Sequence, residues 1–314
     1  MFHNRQIILT MTMLAAMTAS AFEKVTFAPQ WTAQAQFAGY YVAKDKGFYE
    51  EEGLDVNIVY PTNSQSSISM LKEGKCQFTT TQLLDAIHAI DQGTEIVNIL
   101  QTSQQSGLVL VGYNGKNPEK LKPGAKVGIW NAGFSFISEM MNQRDGRQFQ
   151  FIRFTNNVSL FMSGAIDATL AMSYNELLLL RQANVNLSGN AVLWFSKHGY
   201  DIPEDGLYVM RAYQKTHPVI CRKFAKATRR GWEWCRQHPE EALEMVMEHI
   251  KKNNILTNIV IQRLMLKEIL RLNTDPKTYK ATYVLDRGKV EKSVDMLRKC
   301  GLIRRRVSYN DIIE

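Results

Sequence analysis

From residue 24 to residue 211, short runs rich in β-branched and aromatic residues alternate with amphipathic helical runs, and this alternation narrows the fold more than any other feature of the chain. LDVNIVY (54–60) reads as a strand, SSISMLKEGK (66–75) as a helix, CQFTTT (76–81) as a strand and TQLLDAIHAIDQG (81–93) as a helix. EIVNILQ (95–101) and LVLVGYN (108–114) follow as strands, and Gly, Pro or Asn mark the turns between runs. Such a rhythm predicts βαβ units around a mostly parallel sheet. A second set begins after NPEKLKPG with the strand KVGIW, the helix FSFISEMMNQ and the strand FQFIRF, and ends near AVLWFSKHG. GLYVMR (206–211) returns to a strand, and the remainder is almost wholly helical.

A chain that builds one lobe, crosses to a second and crosses back has this order. The crossings are expected at residues 113–118 and 202–206. One lobe would then comprise residues 22–115 and 204–314, with a helical C-terminal tail, and the other residues 116–203. Two crossing strands make a hinge, which permits closure around a ligand. A single compact α/β enzyme domain fits the alternation nearly as well, so periodicity alone leaves both readings open.

The opening stretch has one cation, Arg5, an apolar run over residues 7–19, and then Ala19-Ser20-Ala21. This is the make-up of a secretory signal peptide (1–21), with Phe22 as the expected mature N-terminus. The run is shorter than the roughly 20 apolar residues that span a bilayer. No cysteine precedes Cys76, so a lipid anchor is not expected, and the periplasm is the expected location.

The formal charge is +8, or +7 once Arg5 is removed, but acids and bases alternate along the helices. The densest basic cluster, Arg304-Arg305-Arg306, has no interleaved aromatics, so a nucleic-acid partner is not expected. Cys221 and Cys235 read as parts of one helix, about 21 Å apart at 1.5 Å per residue, too far for a disulfide while the helix is unbroken at Gly231. No Cys/His spacing suits a metal, no G-x-S-x-G, HExxH or P-loop occurs, and no cofactor is expected. His88 reads as a surface or boundary residue.

Three segments are candidates for ligand contact. Trp31 lies at the end of the first strand, where ligands bind in open α/β sheets, followed by a helix carrying Phe37, Tyr40 and Tyr41. Phe37 and Tyr41, four apart on one face, read as core, whereas Trp31 and Tyr40 are site candidates. Trp130, Asn131, Gly133, Phe134 and Ser135 form a strand-to-helix loop whose N–H groups can meet a ligand oxygen, with Asn131 or Ser135 as a possible helix cap. Tyr174 and Glu176 follow the strand DATLAM. Glu176 either receives a ligand donor or simply starts the helix ELLLLRQ, where an acid suits the macrodipole.

The pattern W-x-x-x-x-x-F-A-G-Y-Y-V-A-x-x-K-G-F-Y-x-x-E-G-L-D-V, from Trp31 to Val56, resembles the substrate-binding proteins for thiamine-pyrimidine precursors, with nitrate-, sulfonate- and taurine-binding proteins as wider relatives. Weaker similarity continues through PEDGLYVMRAYQKTHPVICRKFAKATRRGWEWCRQHPEEAL. The resemblance implies a type II periplasmic-binding-protein fold and a small planar ligand, a thiamine pyrimidine precursor whose amino side meets the carboxylate of Glu176, or alternatively a sulfonate- or nitrate-type anion. It implies as partner the membrane permease of an ABC importer or, alternatively, a sensor kinase, and a monomeric receptor. The same family includes a pyrimidine synthase that uses a lysine, a histidine and a Cys-rich segment. Here the corresponding positions are Thr81 and Asp85, and the Cys-rich region reads WFSKHGYDIPEDGLYV, so no enzyme is expected.

Overall fold

The computed structural model describes residues 22–62, 64–130, 133–154 and 158–313. The expected signal peptide and Asn131 lie outside the described residues. In the first lobe, β1 (Glu23–Ala28), β2 (Leu54–Ile58), β3 (Phe78–Gln82) and β4 (Ile96–Gln101) are separated by α1 (Ala38–Asp45), α2 (Phe48–Glu51), α3 (Ser67–Lys72) and α4 (Leu83–Asp91). The second lobe holds β5 (Leu108–Gly112), β6 (Lys126–Trp130), α5 (Phe136–Asp145), β7 (Gln150–Phe154), α6 (Ser159–Met162), β8 (Ala168–Met172), α7 (Glu176–Gln182) and β9 (Val192–Trp194). The chain then returns with β10 (Asp205–Met210) and continues as α8 (Arg211–Thr216), α9 (Pro218–Gln237), α10 (Pro239–Lys252), α11 (Ile259–Leu272), α12 (Arg287–Lys299) and α13 (Tyr309–Ile313).

Among the described residues the strands form two five-stranded sheets, β2-β1-β3-β10-β4 and β7-β6-β8-β5-β9. The two have the same plan. Each takes in one strand antiparallel to its neighbours, and that strand is the first one after a passage between lobes: β5 against β8 and β9, β10 against β3 and β4. The first passage is therefore residues 102–107, not 113–118. LVLVG pairs wholly within the second sheet, because its register against ATLAM runs from Leu108↔Met172 to Gly112↔Ala168. The second passage, residues 199–204, leads directly into β10.

The first lobe's core is aromatic: Phe27 stacks on Tyr40 at 4.4 Å, and Phe78 on Phe224 at 3.9 Å. Helix α9 starts with Pro218, whose fixed φ suits a first helical position, and runs unbroken through Gly231. At Gly231 a Cβ would stand 2.0 Å from the carbonyl oxygen of Gly39, so glycine is what allows α1 and α9 to touch backbone to backbone. Cys221 and Cys235 lie on this one helix, and all four cysteines are free thiols.

The helical tail packs on both lobes and on the passages. Asn258 caps α11 and Asp286 caps α12, each side chain accepting an N–H of the first turn. In α12, Lys289 Nζ donates to the Gln104 carbonyl at 2.6 Å and to Asp201 Oδ2 at 2.8 Å, so a single ammonium holds both passages. In α11, Glu268 accepts from Ser173 Oγ of the second lobe and pairs with Arg271, which lies against Gln105 of the first passage. Among the described residues no helix is long and apolar enough to cross a membrane.

Candidate functional site

The C-terminal edges of the two sheets face each other. Asp85, just after β3, meets Gly133, just after β6, and Gln36, after β1, meets Tyr174, after β8. In open α/β sheets this edge is where ligands bind. The lobes are closed on one another, and the cavity bounded by Gln82, Leu84, Ser106, Phe134, Ile202 and Glu204 has a volume of 10 Å³. That is room for about one water molecule.

Four carboxyls stand at this junction: Asp85, Glu176, Glu204 and Asp205. Asp85 Oδ1 accepts the Gly133 N–H at 2.6 Å across the gap. Glu176 turns back on its own strand end, accepting the Met172 N–H at 2.9 Å and the Asn175 amide at 2.7 Å. Glu204 Oε1 accepts the Gly107 N–H at 2.7 Å and the Ser106 hydroxyl at 3.1 Å. Asp205 receives the Gln30 and Gln36 amides, each at 2.7 Å. Among the described residues none of the four is ion-paired to a lysine or arginine. Burial is the main influence on all four: it pushes Asp85 and Asp205 up to about 6 and Glu176 to about 7. Glu204 rises to about 8, through burial first and then the neighbouring charge of Asp205.

Around the carboxyls lie neutral acceptors and aromatic rings. Gln30 Oε1 is buried with no hydrogen-bond partner, an acceptor directed away from its own Nε2 bond to Asp205. Trp31, immediately after it, is 39% exposed. The Trp130 and Phe134 rings lie 5.4 Å apart, and Phe134 lines the cavity. The buried Tyr174 hydroxyl accepts from Gln36 Nε2 at 3.3 Å.

Two of the expected residues are held inside the packing. The Tyr40 ring is 1% exposed, stacked on Phe27 and edge-on to Trp232, while its buried hydroxyl lies toward Thr102 and Asp205. Ser135 is fully buried, and its hydroxyl donates to the Trp130 carbonyl at 2.8 Å instead of capping α5. Phe37 and Tyr41 are core as expected, Tyr41 stacking on His249 at 4.2 Å. Gln30, Gln36, Glu204 and Asp205 were missed. Their signals were the repeated glutamines of QWTAQAQ and two adjacent acids between Pro203 and the apolar run GLYVM.

The family model described as "NMT1/THI5 like" matches residues 34–242. The chain is similar to the formylaminopyrimidine-binding protein of Halalkalibacterium halodurans, 26% identical over 247 residues, covering 74% of this chain and 73% of that protein. It is 25% identical to the riboflavin-binding protein RibY of Chloroflexus aurantiacus over 262 residues, 79% of this chain and 72% of that one. In fold it is similar to the periplasmic aliphatic sulphonate binding protein SsuA of Escherichia coli, with a TM-score of 0.66 at 15% identity, covering 93% of this chain and 97% of that one. The two mixed sheets, the paired passages and the C-terminal helices make this the type II periplasmic-binding-protein fold.

Proposed function

We propose a function on one premise: this chain belongs to the NMT1/THI5-like family. It is a solute-binding protein that delivers a small planar, donor-rich heterocycle, an aminopyrimidine of the thiamine-precursor class, to the permease of an ABC importer. It captures this ligand by closing its two lobes and does not transform it. The single observation that carries the ligand class is the set of four carboxyls at the lobe junction with no lysine or arginine paired to them. An anion such as nitrate or a sulfonate needs positive charge, whereas Asp85 and Asp205, raised only to about 6, still present negative charge there at neutral pH. An aminopyrimidine offers N–H donors to those carboxyls and a flat face to an aromatic ring.

Asp85 meets Gly133 and Gln36 meets Tyr174 across the gap, so admission of a ring between them requires opening about residues 102–107 and 199–204. Trp31 is the proposed stacking surface. Glu176 is the proposed acceptor for the amino group, because a carboxylate has about four lone-pair directions and three are taken, by the Met172 N–H, the Asn175 amide and its own backbone N–H. A binding role also agrees with Thr81 and Asp85 standing where the family's synthases have lysine and histidine, since neither can form a Schiff base. The riboflavin-binding relative supports a planar nitrogen heterocycle more broadly.

The experiment is a thermal-shift and calorimetric series on the purified protein with 4-amino-5-hydroxymethyl-2-methylpyrimidine, its N-formylamino analogue, thiamine, riboflavin, taurine, an alkanesulfonate and nitrate. Stabilisation follows RT ln(1 + [L]/Kd), so a ligand at about 100 times its Kd adds about 2.7 kcal/mol. A response confined to nitrate or sulfonates would sink the aminopyrimidine reading and leave the binding role standing.

A further inference from the structure

Asp85 reaches across the gap to the N–H groups that lead into α5. Gly133 opens the 3-10 turn that leads into the ten-residue helix α5, and its N–H, with that of Phe134, points out of the second lobe toward the first. Free N–H groups at such a helix entrance carry partial positive charge and receive carboxylates, phosphates and sulfates. Here the receiving groups are met by a resident carboxylate from the opposite lobe, Asp85 Oδ1 at 2.6 Å from the Gly133 nitrogen. The approach is close: a Cβ at position 133 would stand 2.7 Å from Asp85 Oδ1 and 3.0 Å from Asp85 Cα, so any side chain there would have to displace the Asp85 carboxyl.

We infer that Asp85 is a specificity-determining residue, which fills the anion-receiving N–H groups of the second lobe with its own carboxylate and so restricts the ligand to uncharged or cationic, unphosphorylated heterocycles. The inference rests on the reading that the lobes close on a ligand. Exclusion has two parts, occupation of the donors and like-charge repulsion, and both act only against anions. A latch that merely held the lobes shut would weaken or strengthen all ligands alike.

The experiment compares the native chain with Asp85→Asn and Asp85→Ala, using three probes: 4-amino-5-hydroxymethyl-2-methylpyrimidine, its phosphate ester, and inorganic sulfate. Asp85→Asn removes the charge at constant shape, and Asp85→Ala also frees the N–H groups. The native chain should bind the alcohol, discriminate against the ester, and show no response to sulfate. Both variants should shift the ester-to-alcohol affinity ratio toward the ester by about tenfold or more, and Asp85→Ala should acquire a sulfate response. Native binding of the ester as tight as the alcohol, or an unchanged ratio in a folded variant, overturns the inference. Should the native chain bind neither pyrimidine, the aminopyrimidine reading fails. The sulfate arm then decides the role of Asp85 by itself: a gain in Asp85→Ala supports it and no gain rejects it. Asp85→Gly, which also vacates the N–H groups, serves for this comparison if Asp85→Ala does not fold.

Discussion

Glu204 Oε1 accepts the backbone N–H of Gly107 at 2.7 Å, so one buried carboxyl joins the two passages that connect the lobes. Burial holds Glu204 up to about 8, against an ordinary 4.5, so the folded chain keeps a proton that the unfolded chain has released. Its contribution to stability is whole below about 4.5 and is lost as the pH climbs through about 8. Asp85, Asp205 and Glu176, raised to about 6, 6 and 7, act in the same direction over lower windows. The ligand-free protein should therefore melt at a lower temperature at about pH 8 than at about pH 5. Glu204→Gln keeps an acceptor for Gly107 and should flatten the profile in its upper part. A melting temperature that rises across that interval would contradict the assignment.

At a pH above about 7, where Glu176 is ionised, Glu176→Gln should lower aminopyrimidine affinity by about tenfold or more, since a hydrogen bond to a charged group is worth about 1.5–3 kcal/mol. The substituted amide retains an oxygen for the Met172 N–H, so the melting temperature should change little. Trp31→Ala should weaken binding to a smaller extent, by the stacking contribution of about 0.5–1.5 kcal/mol plus lost contact area. Calorimetry and melting on the same two variants separate the roles: an unchanged affinity in Glu176→Gln removes that residue from the site.

Lys289→Met preserves the apolar stem but removes both hydrogen bonds to the passages. The pair with Asp201 is partly solvated, so the global cost should be about 1 kcal/mol. The distinguishing readout is local. Amide exchange should accelerate over residues 102–107 and 199–204 while β1 and β3 stay protected. Uniform exchange across the first lobe would show that the tail stabilises the lobe without bracing its hinge.

Gly231→Ala should be among the most damaging single-methyl additions, because the new Cβ would press on the Gly39 carbonyl at 2.0 Å and on Ala43. The helices must separate, at a cost of about 1–3 kcal/mol or more. The same substitution at Gly74, where a Cβ meets nothing within 4 Å but φ is +72°, should cost only the backbone strain, about 1–2 kcal/mol. Denaturant unfolding of the two variants compares steric with conformational cost.

Strands such as LDVNI and ATLAM were legible because they are short runs whose burial alternates or is complete. The first lobe boundary was not. LVLVG and the IVNILQ strand before it are both almost fully buried, and an unbroken apolar run carries no mark of which sheet it joins. The six polar residues TSQQSG between them are the passage, and their side-chain hydrogen bonds to Asp205, Glu204 and the tail exist only once distant segments have assembled. The direction of the Tyr40 ring was hidden for a related reason, since one helical position decides whether a ring on α1 faces the cleft or Phe27. Glu204 and Asp205 look like surface acids in the text PEDG, and only the sheet topology places them at the junction.

The insertion of β10 between β3 and β4 sets an order on biogenesis. A chain synthesised from its N-terminus presents the residues up to 204 first, and at that stage β3 and β4 have no common neighbour and each shows a bare edge of N–H and C=O groups. Bare apolar edges template pairing with other chains. The second lobe, continuous from Leu108 to Trp194 in its strands, can close its sheet in that interval, whereas the first must wait for residues 205–210 and for α9 to cover Phe27 and Phe78. Truncation before β10 should therefore leave one foldable half and one aggregation-prone half, and a chaperone that recognises exposed strand edges would find its binding surface on the lobe that was made first.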